Sequence, residues 1–295
     1  MVQFFRIILN QNYHPQYNPQ EYTVQTLTGN SVDYEPMDTA WKTALAIMNS
    51  RICQRAFRSL TKEFQPERDP ITSVGAFIAD LNNDQIVSKY RIVADYRLSR
   101  YVLGDHKRPL FAIHLNQQYV RSVSTSLGDE EARLRCLLAT TLVHELAHTF
   151  VTFLGYSGRD VTPEAINHPA CRADDPGFGE SGRYLEWKLW GGLLEWQTPD
   201  AGHLIGDLFL VDENNDARLI SRNQVRQIGF YQDFGTPLAI GPFQVEPPPN
   251  DITYANCEGF RGLRSFANAP NPLVPELLDN RYMASRRMGS RFYSN

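Results

Sequence analysis

The segment Leu142-Val-His144-Glu145-Leu-Ala-His148-Thr-Phe150 carries the strongest chemical signal in the chain. His144 and His148 stand four residues apart, so on a helix both project from one face and both can place a ring nitrogen on a single Zn2+. Glu145 lies about 60° round from His148, at ~100° per residue. There it can reach a water at the metal without ligating the metal itself. This is an HExxH pattern, and its chemistry is metal-assisted hydrolysis. Zinc lowers the pKa of the water towards ~7, and the carboxylate takes its proton as the water attacks a carbonyl. With His144 at 0° and His148 at ~40°, Leu142, Leu146, Phe150 and Phe153 fall between about 160° and 240°. They form a core-facing stripe behind the ligands, while Thr141 and Thr152 lie on the ligand face.

A catalytic zinc site takes a third protein ligand and keeps a fourth position open. Position 154, six residues after His148, is leucine, so a third histidine at that spacing is excluded. The downstream candidates are His168, Asp174, Asp175, Glu180 and Glu186. Glu180 opens a second helical stretch that ends at Gly191-Gly192, where an antiparallel helix can present it to the metal. Glu186 is about 240° further round that helix, so the two cannot both point straight at one ion. Glu180 is the preferred ligand; the other glutamate is left to orient a ligand histidine. Tyr184, Arg183 and His203 are the candidate oxyanion donors.

The combination of His144-Glu-Leu-Ala-His148 with Glu180-Ser-Gly-Arg-Tyr-Leu-Glu186-Trp-Lys-Leu-Trp-Gly191-Gly192 resembles a group of fungal HExxH proteins. Their second element has the form E-x-G-x-x-x-E-x-x-x-[FW]-G-G. Many members are zinc metalloprotease-like, and some are encoded beside secondary-metabolite genes. The likeness covers residues 110–195, about a third of the chain. It implies a zincin-like fold with a glutamate as third ligand, carried onto Glu180. The chain departs from thermolysin-type enzymes in lacking ExxxD after the motif and in its longer intervening loop. By analogy with zincin-like folds, the strand Leu110–Asn116 would be the edge that pairs with an extended peptide. His114, alternating away from Phe111, Ile113 and Leu115, reads as a structural histidine rather than a cleft residue.

The elements that must position these residues follow from periodicity. A helix is expected over Met37–Phe64 with Asp38 as its N-cap. Strands are expected at Val74–Ala79, Arg91–Tyr96 and Leu110–Asn116, and the HExxH helix at Asp129–Leu154 with Gly155 as its stop. A hairpin is expected from Leu208–Val211 to Arg218–Ser221. Residues 11–36 read as an irregular lead-in behind a first strand near the N-terminus. Residues 281–295, with Arg281, Arg286, Arg287 and Arg291, read as a basic mobile tail. The sum is an α+β protein, one catalytic domain over 1–280 with a small mixed sheet.

Composition narrows the function classes. Of 295 residues, 42% are hydrophobic and 21% charged, as in globular proteins and unlike disordered ones. The 29 Lys and Arg against 33 Asp and Glu leave a net charge of -4, which advertises neither a nucleic-acid nor an anionic-membrane surface. No apolar stretch reaches the ~18 uninterrupted residues of a membrane span. The N-terminal run is broken by Arg6 and lacks signal-peptide flanks. Cys53, Cys136, Cys171 and Cys257 show no CxxC spacing, and there is no N-glycosylation sequon. These features point to the cytoplasm. P-loop, dinucleotide and GxSxG signatures are absent. The expected function is zinc-dependent hydrolysis of a peptide or small amide, with Zn2+ on His144, His148 and Glu180 and Glu145 as general base. Two alternatives are a non-haem-iron tailoring enzyme of fungal secondary metabolism and a catalytically idle zincin-fold binding protein.

Overall fold

Two of the three helix starts along the first third of the chain are set by side-chain capping, while Asp33, before the first helix, makes no side-chain cap bond. Helix α1 (Tyr34–Met48) begins after Asp33, and α2 (Arg51–Phe64) after Ser50, whose hydroxyl accepts the Cys53 N–H at 3.2 Å. Helix α3 (Pro70–Leu81) follows Asp69, whose carboxylate accepts the N–H groups of Ile71 and Thr72. Pro70 occupies the first helical position, where its missing N–H costs nothing. The computed structural model describes residues 5–8, 24–83, 91–96, 98, 104–107, 112–155, 162–163, 165–167, 179–196, 205–211, 216–231, 238, 243–246 and 265–266.

Three of these elements differ from the sequence expectation. The single helix over Met37–Phe64 is two, because Asn49-Ser50 ends one helix and caps the next. Asp38 lies inside α1 and pairs with Lys42 at 2.7 Å instead of capping it; Asp33 holds the N-cap position. The expected strand Val74–Ala79 lies within α3. Its apolar run imitates a strand, but Val74, Phe77, Ile78 and Leu81 have helical spacing, and Asp69-Pro70 is a helix start. The lead-in is also less irregular than expected, since it holds β2 (Val24–Thr26) and the first turn of α1.

The architecture is α+β. One five-stranded mixed sheet has the order β2-β1-β3-β5-β4, with β1 (Phe5–Ile8), β3 (Arg91–Asp95), β4 (Gly104–Lys107) and β5 (Ala112–Asn116). β1, β3 and β5 run parallel, whereas β2 and β4 are antiparallel edges. Strand β5, expected to be the edge, is therefore internal, and β4 takes that place. A short helix α4 (Gln117–Val123), capped by Asn116, leads from β5 towards α5 (Asp129–Leu154). Next come α6 (Ser181–Trp190), β6 (Leu193–Trp196), β7 (Leu208–Val211), β8 (Asp216–Ile220) and α7 (Arg222–Gly229). The second sheet has the order β10-β8-β7-β6, with β9 (Val245–Glu246) also on β8 and β10 (Ser265–Phe266) at one edge. The expected β7–β8 hairpin is antiparallel, pairing Phe209 with Leu219.

Helix α5 is the axis of the molecule. It packs against α1, α4, α6 and α7 and against β4 and β5. It is long and apolar enough to cross a membrane, yet 83% of its most apolar window is buried inside the protein. Leu142, Leu146 and Phe150 are buried as the stripe requires, and the opposite face is buried as well. The aromatic contacts Phe57–Phe150 and Phe77–Phe150, both with centroids 5.0 Å apart, tie α2 and α3 to α5. Phe150→Ala is expected to lower unfolding stability by ~3–5 kcal/mol, the usual cost of emptying a buried aromatic site. Denaturant unfolding monitored by tryptophan fluorescence measures it; a loss under ~1 kcal/mol would mean that this cluster does not join the helices.

Candidate metal centre

On α5, the four-residue spacing sets the rings of His144 and His148 one above the other, centroids 5.3 Å apart. The third member arrives from α6. Gly179 donates its N–H to Thr162 and Glu180 donates to Ile166, so the chain reaches α6 in an extended conformation. Glu180 is the N-cap of α6, and its Oε2 accepts the N–H of Arg183. A carboxylate at a helix N-terminus meets unpaired N–H groups and the positive end of the helix dipole. Capping fixes one oxygen and so aims the other. Glu180 Oε1 lies 3.1 Å from His144 Nε2 and 2.5 Å from His148 Nε2.

His144, His148 and Glu180 offer one donor atom each, all within 4.8 Å of one another. The 3.1 Å separation is close to the ~3.3 Å between two ligands of one tetrahedral zinc with bonds of ~2.0–2.1 Å, whereas the 2.5 Å to His148 is a hydrogen-bond distance that an ion would have to widen. The other ring nitrogens are also held. Glu186 Oε1 lies 2.6 Å from His144 Nδ1, and its Oε2 accepts the Leu194 N–H at 3.0 Å. Ser181 Oγ lies 3.0 Å from His148 Nδ1. Such partners fix the ring orientation and tautomer that a metal ligand needs. Two imidazoles and a carboxylate, each oriented from behind, are a donor set that fits zinc and equally a non-haem iron.

Two glycines make the approach possible. A Cβ on Gly182 would lie 2.3 Å from His144 Nε2, so only glycine lets the first turn of α6 pass across that ring. A Cβ on Gly104 would lie 2.7 Å from Thr141 Cγ2 and 3.2 Å from Glu145 Oε1. The Glu145 carboxylate thus sits under the edge strand β4, outside the three-donor group. At the far end of α6, Gly191 takes the left-handed conformation with φ +87°, which closes the helix. A Cβ on Gly192 would lie 2.5 Å from the Val211 carbonyl oxygen, so the chain can enter β6 there only without a side chain.

Of the residues singled out from sequence, the structure brings His144, His148 and Glu180 together and puts Glu186 behind His144. His168, Asp174, Asp175 and His203 lie outside the described residues, as does the 281–295 tail. Tyr184 and Arg183, the other oxyanion candidates, are buried in the packing of α6. His114 is buried against Asp95, with Nδ1 and Oδ2 2.7 Å apart, on adjacent strands β5 and β3. Sequence reasoning missed Ser181, Gly104 and Asp95. None of these has a signal of its own, because each matters only through a neighbour brought in by the fold. Gly182 is the third position of E-x-G, and only the fold shows its reason, the ring of His144. No family model matches the chain, and neither a curated protein nor a solved structure matches it.

Burial disfavours charge on His144, but the Glu180 and Glu186 carboxylates on either side outweigh it and push the imidazole from its ordinary 6.5 up to about 10. Glu180, though buried, is held well below the usual carboxylate range by His144 and His148. A raised histidine pKa means that the proton is held at pH 7; its contribution to stability is complete below about 6.5 and is lost as pH rises through about 10. A metal must therefore displace it. Zinc binding at pH 7 is expected to release about one proton from His144, with apparent affinity rising about tenfold per pH unit below pH 10. Calorimetry in buffers of different ionisation enthalpy reads this number, and zero release would remove the protonated His144. Gly182→Ala is expected to lower zinc affinity by at least ~10-fold through displacement of the His144 ring. Competition with a chromogenic chelator measures it; unchanged affinity would show that the close approach is not required.

Proposed function

We propose that the protein is a zinc-dependent hydrolase of zincin-like build, acting on a peptide or small amide bond. The observation that carries this reading is the single oxygen, Glu180 Oε1, set between the Nε2 atoms of the two HExxH histidines by the cap of α6. His144, His148 and Glu180 would hold the ion. When bound, Zn2+ supplies Lewis-acid activation of water and of the scissile carbonyl.

The chain's own residues supply the rest. Glu145, one residue from His144 and outside the donor group, takes the proton of the attacking water and passes it to the leaving nitrogen. Gly104 leaves that carboxylate its place beneath β4. Strand β4 is the antiparallel edge of its sheet and pairs on one side with β5. Among the described residues no strand pairs with its other side, and Gly104 lies over Glu145, so an extended polypeptide added there as a further strand would run near the general base. This favours a peptide over a compact small molecule. The second reading, a non-haem-iron oxygenase, rests on the same two-histidine, one-carboxylate donor set and differs in metal and oxygen dependence.

Glu145→Gln is expected to retain metal at the wild-type stoichiometry and lose turnover by ~10²–10⁴-fold, the usual contribution of a general base. Elemental analysis of purified protein, with His148→Ala and Glu180→Ala as metal-deficient controls, is run beside cleavage of a peptide library. Hydrolysis by Glu145→Gln at the wild-type rate would sink the assignment. Iron in place of zinc, with oxygen consumption, would put the second reading first. Zinc retained with no hydrolysis would leave a binding protein of the same build.

A further inference from the structure

One face of α2 has no place in the reading above. Arg51, Arg55, Arg58 and Lys62 follow one another at spacings of four, three and four residues. At ~100° per residue they fall within about 60° of helix circumference, and at ~1.5 Å per residue they span about 16 Å. Cys53, Ala56, Phe57, Leu60 and Thr61 are buried on the opposite side. Arg51, Arg55 and Lys62 are exposed and Arg58 is half-buried. Among the described residues none of the four forms an ion pair. Asp69 feels the charge of Arg58 but is committed to capping α3.

That is unlike six cations on other elements. Lys42 pairs with Asp38, Arg121 with Asp33, Arg135 with Glu35 and Glu131, and Arg226 with Asp129. Arg133 and Arg222 share Asp207. In a chain with net charge -4, four uncompensated positive charges in one row concentrate positive potential on a single helix face.

We infer that this face of α2 is a docking surface for an acidic polypeptide segment. The charge requires an anionic partner. Alternate side chains of an extended strand are about 6.7 Å apart, somewhat wider than the ~4.5–6 Å steps of the row, so about three carboxylates can meet it along its length. The residues flanking the row, Gln54 and Ser59, offer hydrogen bonds to a peptide backbone. Phe57 is buried, so no aromatic platform faces out for a nucleobase to stack on, which disfavours a single-stranded nucleic acid. The buried side of α2 packs on α6, the helix that begins at Glu180. In the hydrolase reading the docked segment belongs to the substrate; the surface itself depends on the charges alone.

The test is fluorescence anisotropy of the full chain with a labelled, Glu-rich peptide, at low salt and at ~0.15 M salt, with and without chelator. Binding is expected to weaken as salt rises, to survive chelation, and to fall at least ~10-fold in the double variant Arg55→Glu, Lys62→Glu. Arg121→Glu with Arg222→Glu makes the same change in net charge elsewhere and is expected to bind as the wild type does. Circular dichroism checks that both variants fold. Absence of binding at low salt, equal losses in the two double variants, or tighter binding of a single-stranded RNA through Arg55 and Lys62 would each overturn the inference. Because chelated protein is included, failure of the metal assignment cannot be mistaken for failure of the docking surface.

Discussion

The cap of α6 is the interaction on which the centre depends. Glu180 does two things with one carboxylate: Oε2 closes the helix on the Arg183 N–H, and Oε1 stands between two imidazoles of α5. Neither role is free to move without the other. The helix start is fixed in turn by Gly182 lying against the His144 ring, and by Glu186 one and a half turns on, which grips the same ring from the other side. His144 is thus held at both nitrogens by a single helix. This explains why the two glutamates are six residues apart: the helix turns about 240° between them, enough to place one before the ring and one behind it.

The burial of α5 on all sides sets the terms for everything else. A helix enclosed in this way cannot leave a polar group unpaired without a penalty of about 1–3 kcal/mol. Thr140 and Thr149 bond back to carbonyls one turn earlier, at 2.9 Å and 3.0 Å. His144 and His148 draw partners from α6. The row of polar residues on one side of an otherwise apolar core helix is therefore explained only once α6 is in place.

What could be read in the sequence follows from the range of the interactions involved. The boundaries of α5 and α6 were legible because each is set by nearby residues: acidic residues in the first turn of α5, Glu180 as a cap, and glycine at both ends. The Val74–Ala79 stretch misled because an apolar run of six fits strand and helix alike, and its Asp69-Pro70 start lies just outside the run. The split at Asn49-Ser50 was hidden by an apolar periodicity that continues across the break. The edge strand could not be placed from sequence, since only pairing shows that β4 folds back outside β5. In the site, residue types and helical spacing brought out His144, His148, Glu145 and the two glutamates. Ser181 and Gly104 depend on contacts between elements far apart in the chain.

Charge balance bears on what this donor set could hold. Glu180 and Glu186 bring two negative charges to a nearly enclosed place, and the proton they retain on His144 cancels one of them. Buried charge that is not fully compensated is expensive, and Glu145, buried next to His144, adds a third carboxylate to this neighbourhood. In the proposed metal centre a divalent cation would replace the proton and add positive charge, its carboxylate ligand Glu180 already oriented by the Arg183 N–H and the Glu186 behind His144 by the Leu194 N–H. There the two nitrogen donors favour zinc or iron over magnesium or calcium.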